Sequence, residues 1–375
     1  GLGEEGTRRI GHQEARIKIC RGGFYSRGGF YQPLSRTKKY WVKAAPGRQP
    51  NCNQRLEFIT MNEQPILSIV TATKGSFSDY WLEQLLKVKG NVQFILVYPP
   101  DTPIKPIDDK RIKAIVSPYK GEVMQRFTGL LNVTTDYLMA LDDDDFVHPD
   151  ILECTAAYFQ RFPESWVLRL KIENIDYKNE QRIQQDWQPI PDIAQLEICK
   201  KTPENPFPFQ GGNYKGLLEV PIAPLDKNFD IRHALIPWKH RTDMEGIHFE
   251  NFNNRVWRNA IVQPALAELS KAMRIFGALT WVPLWNLDRS LGLFVQATSF
   301  EKNKIIGHAM PKPEQVRYIT KDASLKEARI HLTADTLLVK TYPQFGYLWN
   351  LFFWELYAVP KVIGKSLKKK LVKQV

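Results

Sequence analysis

Residues 126–149 read RFTGLLNVTTDYLMALDDDDFVHP. Asp136 to Leu141 is a short apolar run of strand length, and it empties directly into four aspartates, Asp142 to Asp145. Neighbouring carboxylates disfavour one another's ionisation, so such a turn calls for something that offsets the repulsion. Alternate residues on an extended turn point the same way. Asp142 and Asp144 can therefore aim two carboxylates at one hard cation, Mg²⁺ or Mn²⁺, whose other positions suit phosphate oxygens. Ligands of open α/β sheets bind in the crevice beyond the carboxyl ends of the strands, where this turn would lie. The plainer alternative is a solvated acidic turn that caps the next helix, with Asp145 or Asp150 at the positive helix end.

Upstream, the same texture repeats. Ile66 to Thr71, Val92 to Tyr98 and Arg111 to Val116 read as strands, with a helix from Ser78 or Asp79 to about Val88 capped by one of those two residues. A second helix is predicted from about Gly121 to Asn132, with Val123, Phe127, Leu130 and Leu131 as one buried stripe. A third carries Ile151, Thr155, Tyr158, Phe159 and Phe162 on one face and ends at Pro163. Short apolar runs alternating with amphipathic segments predict an α/β fold with buried parallel strands. From Trp166 to about Pro237 the chain is rich in Pro and Asn, which predicts a few strands among long loops. Asn251 to Gly277 reads as mostly helical despite Pro264, and Thr280 to Asp288 as extended.

The 375 residues carry a formal net charge of +12, but the surplus sits at the two ends. Residues 1–60 hold 12 Lys/Arg against 4 Asp/Glu, and residues 361–375 hold six lysines and no acid, while residues 61–360 hold 34 basic and 36 acidic groups. A nucleic-acid partner is therefore not expected of the body. Two Arg-Gly-Gly-Phe-Tyr copies, from Arg21 and from Arg27, suit single-strand RNA contact, but residues 1–60 read more simply as a disordered basic leader or an upstream extension. Four cysteines without CxxC spacing suggest neither zinc nor a disulfide framework, and no 18-residue apolar run suggests a membrane span or secretory signal. These features predict a cytoplasmic protein.

The stretch from Arg126 to Pro149 resembles the family 2 glycosyltransferases of the GT-A fold: an Arg-bearing helix, an apolar strand, then Leu141, Asp142, Asp144, Asp145 and Pro149 in the order Leu-Asp-x-Asp-Asp with a following Pro. Ser68 to Gly75, SIVTATKG, is similar to the family's first strand and nucleotide-facing loop. The resemblance spans residues 65–160. It implies a Rossmann-like central, mostly parallel sheet flanked by helices, with a helical C-terminal extension, and a metal-dependent, inverting transfer from a nucleotide-diphospho-sugar. It also implies that Thr71, Ala72 and Thr73 lie beside base and ribose, Arg126 on the diphosphate side, Asp142 and Asp143 at the nucleotide, and Asp142 and Asp144 on the Mn²⁺ or Mg²⁺. One departure stands out. The family's acidic residue after the second strand is replaced by Tyr98-Pro99-Pro100-Asp101, so Asp101 from a shifted turn, or Tyr98 by stacking, would have to meet the base.

An inverting transferase needs a base at the acceptor hydroxyl. Asp243, then Glu245, are the nearest equivalents of the family's acidic pair, although Thr242 and Glu245 also fit a helix capping box. Gln210-Gly211-Gly212-Asn213 allows a close backbone approach to the sugar or a plain turn, and His148 is a candidate extra metal ligand or a capping residue. Trp281, Trp285, Asn286 and Asp288 suit a sugar subsite or core packing, and Asp288 with Arg289 an ordinary ion pair. The expected organisation is a donor-binding half (61–165), an acceptor-binding half (166–300) and an aromatic, lysine-rich extension (301–375). That extension suits either an anionic membrane surface or a core helix with a solvated tail. The acceptor is then a saccharide or a lipid-linked one, and the location peripheral on the inner face of a membrane. The alternatives are an inactive adaptor of the same fold and a sugar-phosphate nucleotidyltransferase, whose glycine-rich opening loop is absent after the first strand.

Overall fold

The computed structural model describes residues 64–200, 214–236, 251–273, 287–320 and 332–372. The first part runs β1 (Leu67–Ala72), α1 (Asp79–Leu86), β2 (Val92–Tyr98), β3 (Ile112–Val116), α2 (Glu122–Leu131), β4 (Tyr137–Ala140), β5 (Phe146–Val147) and α3 (Ile151–Arg161). β6 (Val167–Arg169), β7 (Ile172–Asp176), α4 (Glu180–Gln184), β8 (Ile198–Cys199), β9 (Leu217–Pro221) and α5 (Arg232–Leu235) follow. The rest is β10 (Arg255–Arg258), α6 (Asn259–Met273), α7 (Leu287–Thr298), β11 (Ile305–Ala309), β12 (Val316–Thr320), α8 (Leu332–Thr341) and α9 (Gly346–Val372).

Among the described residues the strands form a nine-stranded sheet in the order β3-β2-β1-β4-β10-β6-β11-β9-β8 and a smaller one in the order β5-β12-β7. β1, β2, β3 and β4 are mutually parallel, as buried apolar runs separated by helices require. β10 enters antiparallel between β4 and β6, so residues just before β10 lie at the same edge as the end of β4. Helices cover both faces. α1 and α3 pack Trp81, Leu85, Ile151 and Tyr158 on one side; α2, α6, α7, α8 and the start of α9 pack Phe127, Leu266, Phe294, Leu337 and Tyr347 on the other.

Local chemistry sets the element ends. The Ser78 hydroxyl accepts from the Trp81 amide at 3.0 Å and starts α1. α2 lies unusually close to the sheet through Gly129, where an added Cβ would stand 2.4 Å from Val70 and 2.8 Å from Val97.

Several expectations need correction. Leu131 is 49% exposed, and the buried face of α2 instead includes the polar Gln125 and Arg126. Residues 255–258, expected as helix, are the inserted strand β10, and the helix begins at Asn259. Asp288, expected in an extended segment, lies in the first turn of α7. β11 and β12, which fall in the segment expected as an extension, are strands of the two sheets. The leader with its Arg-Gly-Gly copies, Gln210 to Asn213, Asp243, Glu245, Trp281, Trp285 and Asn286 lie outside the described residues.

Candidate active site

β4 and β1 run side by side to the same edge, and the Leu141 amide still donates to Val70 O at 3.0 Å before the chain turns through the four aspartates. The loop after β1 faces that turn. Thr73 donates its hydroxyl to Asp143 Oδ2 at 2.8 Å and accepts from the Gly75 amide at 3.0 Å. Gly75 is at φ +81°, a left-handed conformation that suits glycine, packed over the ring of Tyr98. Beneath this loop Gln125 donates to Thr73 O at 2.7 Å and to Val97 O at 2.6 Å, and so clamps the carboxyl ends of β1 and β2 together.

Each of the four carboxylates has a different environment. Asp145 is 1% exposed and acts as a strut: Oδ1 accepts from the Ile319 amide of β12 at 2.9 Å, Oδ2 from Asn254 Nδ2 at 3.2 Å, and its carbonyl from Trp81 Nε1 at 2.9 Å. Burial, with Asp142 and Asp144 beside it, pushes its carboxyl up to about 8 despite those donors. Asp143 is also held above the usual carboxylate range, first by burial and then by Asp144 and Asp142, with the Thr73 hydrogen bond opposing. Asp142 and Asp144 are half-buried.

Asp142 Oδ1 pairs with Arg126 Nη2, which also lies 2.8 Å from Glu122. Arg126 is 5% exposed, and its Nε and Nη1 have no hydrogen-bond partner. Burial opposes its charge, but the carboxylates of Asp142, Glu122 and Asp288 more than offset this and keep the guanidinium protonated. A buried cation with two idle donors costs free energy unless an anion meets it. On the far side of Asp142, Asn254 takes φ +56°, donates its amide to Ala140 O at 2.9 Å and holds Asp145. Asp288 accepts from the amides of Phe252 and Asn253 and fixes that loop to the start of α7.

The structure thus brings together Thr73, Arg126, Asp142, Asp143 and Asp145, with Asp144 in the same turn. Thr71 is fully buried within the sheet, and Ala72 is half-buried at the strand end. Asp101 sits at φ +65° with its side chain 87% exposed, 4.0 Å from Lys120. Tyr98 is 0% exposed beneath Gly75 and has no face for a base to stack on, which corrects that expectation. His148 is not placed as a metal ligand either: Nδ1 accepts from the Asp150 amide, Nε2 lies 3.0 Å from Gln188 O, and burial lowers its pKa. Arg289 pairs with Asp335 and Glu355 and not with Asp288. Gln125 and Asn254 were not foreseen: a polar residue on an otherwise apolar helix face and an Asn in a polar loop were the available signals.

Residues 101–219, which contain the acidic turn, match the family described as Glycosyl transferase family 2. This segment is a family 2 glycosyltransferase domain. The chain is accordingly a glycosyltransferase, with an open sheet of mostly parallel strands flanked by helices. No curated protein matches. Among solved structures, Staphylococcus aureus TarS 1–349 in complex with UDP-GlcNAc is 12% identical, with a TM-score of 0.42 over 74% of this chain and 67% of that one. TarS 1–349 without that ligand is 12% identical with a TM-score of 0.39, covering 64% of its length, and the longer TarS structure is covered over 43% at 0.37.

Proposed function

We propose that the transferase moves a sugar from a nucleotide-diphosphate donor to a saccharide or lipid-linked acceptor, with inversion, and that a divalent cation assists. The observation that carries this reading is the pairing of Asp142 with the buried, incompletely bonded Arg126 at the carboxyl edge of β4. Among the described residues no group of three or more His, Cys, Asp or Glu side chains is arranged as a metal cage. A Mg²⁺ or Mn²⁺ site of this type needs only one or two carboxylates, with water and phosphate oxygens as the remaining ligands. The half-buried Asp142 and Asp144 supply that hard oxygen set. When bound, the cation would neutralise charge developing on the leaving diphosphate.

The side chains do the rest. Arg126 turns its idle Nε and Nη1 donors to the diphosphate oxygens, where a preorganised cation in a dry crevice acts more strongly than one in water. Thr73, fixed by Asp143, orients the loop that lies against the nucleoside, Ala72 and Asp101 complete its surroundings, and Thr71, buried within the sheet, supports the strand end from beneath. The acceptor oxygen attacks the anomeric carbon as the bond to the diphosphate breaks; the bonding pair leaves with the diphosphate, and the acceptor's proton passes to Asp243, with Glu245 as the next candidate. A lipid-linked acceptor would bring the enzyme to an anionic membrane surface on the cytoplasmic side. No helix among the described residues is long and apolar enough to cross a membrane.

Nucleoside diphosphate release from a panel of UDP-, GDP-, dTDP- and CDP-sugars tests the reading. The full chain with Mn²⁺ is expected to consume one class of donor, and Asp144→Asn to slow it roughly 100-fold or more. Undiminished turnover by Asp144→Asn would overturn the assignment.

A further inference from the structure

Exposed apolar side chains gather on one part of the surface. Phe229, just before α5, is 40% exposed, and Ile231, Leu235 and Ile236, in and around α5, are exposed by 60%, 70% and 37%. Leu356 and Tyr357 of α9 add 41% and 36%. The two segments are packed together: the rings of Phe229 and Phe353 lie 5.5 Å apart, and the Tyr357 hydroxyl donates to Ala234 O. Single exposed leucines need no explanation, but a cluster built from two segments marks an interaction surface. α9 is firmly seated on the protein side, since Tyr347, Leu348 and Leu351 are each at most 2% exposed. Beyond the cluster the same helix runs on to Val372, in a stretch of sequence with six lysines and no acid from residue 361. The acid within the cluster, Asp230, is already engaged by Arg232 at 2.5 Å.

We propose that the α5–α9 surface docks on an anionic lipid bilayer, with the apolar cluster entering the interface and the lysine-bearing end of α9 meeting the headgroups. Apolar area on a helix whose sequence continues into six lysines with no acid is the combination that binds such membranes. Charge complementarity selects a bilayer over a second copy of the chain, whose own lysines would be brought up against these. The proposal gives the membrane partner of the transferase reading a specific surface; it does not depend on the donor chemistry.

Flotation of the full chain with phosphatidylcholine vesicles, with and without phosphatidylglycerol, tests it. The protein is expected to float with the anionic vesicles at low salt and to be released at high salt. Replacing Ile231 and Leu235 together by Ser should weaken partitioning roughly tenfold or more, while Leu235→Phe retains it. Replacing Lys368, Lys369 and Lys370 together by Gln should weaken it by a similar factor and flatten the salt dependence. The thermal midpoint and metal-dependent nucleotide binding, measured without vesicles, should be unaltered in all these variants, so a failed surface and a failed donor site give different patterns. Absence of flotation, equal binding by the Ser variant, or a dimer that the Ser variant dissolves would overturn the proposal.

Discussion

Among the described residues Arg126, Arg289 and Arg317 lie almost wholly inside the protein, and Arg289 and Arg126 are enclosed in opposite ways. Arg289 of α7 stands 3.2 Å from Asp335 of α8 and 3.2 Å from Glu355 of α9, acids that are 0% and 7% exposed, so its charge is neutralised within a helical layer. Arg126 of α2 is as deeply placed, yet its partners Asp142 and Glu122 have side chains 29% and 70% exposed, and two of its donors, against one in Arg289, have no hydrogen-bond partner. The first arrangement is a closed knot that holds three helices together. The second is paired only with acids near the surface and keeps unused donors, which is what an anion-binding group requires. On the proposed reading, the difference separates charge used for architecture from charge held ready for a ligand.

The largest effect should come from opening the knot. Arg289→Met leaves two buried carboxylates without their cation and should cost about 3–5 kcal/mol in denaturant unfolding. Asp335→Asn, which keeps the shape, serves if that variant does not fold. Neither should alter metal-dependent nucleotide affinity; a specific loss of affinity at retained stability would erase the distinction. Arg126→Gln should do the reverse and weaken nucleoside diphosphate binding roughly 10- to 100-fold with little change in the unfolding midpoint.

Gly129→Ala drives a methyl group into Val70 and Val97 and should destabilise by about 1–3 kcal/mol, with a loss of donor affinity because α2 carries Arg126. On the other side of β10, His308 is 6% exposed with Nδ1 2.9 Å from the Tyr158 hydroxyl; burial pulls its pKa down to about 4, with Glu164 and Arg161 acting in opposite directions. The unfolded chain takes up that proton below about pH 6.5 while the folded one resists it until about pH 4, so stability falls as pH drops through this window. Unfolding at pH 7 and pH 5 should show a loss that is about 1–2 kcal/mol smaller in His308→Gln than in the wild type.

The first half of the sheet was legible because its strands are buried on both faces and read as unbroken apolar runs such as Val92–Tyr98. The same rule fails at β10, where Arg255–Arg258 is four residues long and leads directly into α6, so the helical pattern absorbs it. The acidic turn was legible from composition alone. The division of labour within it was not, because Asp145 is set apart by Ile319 and Asn254, residues 174 and 109 positions away. Arg126 could be placed near the diphosphate only through the family resemblance; nothing local shows that a basic residue on α2 faces inward.

Titration calorimetry of the full chain with UDP, GDP, dTDP and CDP, with and without Mn²⁺, decides whether the β4 edge of the sheet is the donor site. One nucleotide should bind tightly only when the metal is present, and both Asp144→Asn and Arg126→Gln should weaken that binding while leaving the unfolding midpoint near the wild-type value. Binding that ignores the metal and survives both substitutions would contradict the assignment of this edge of the sheet as the donor site.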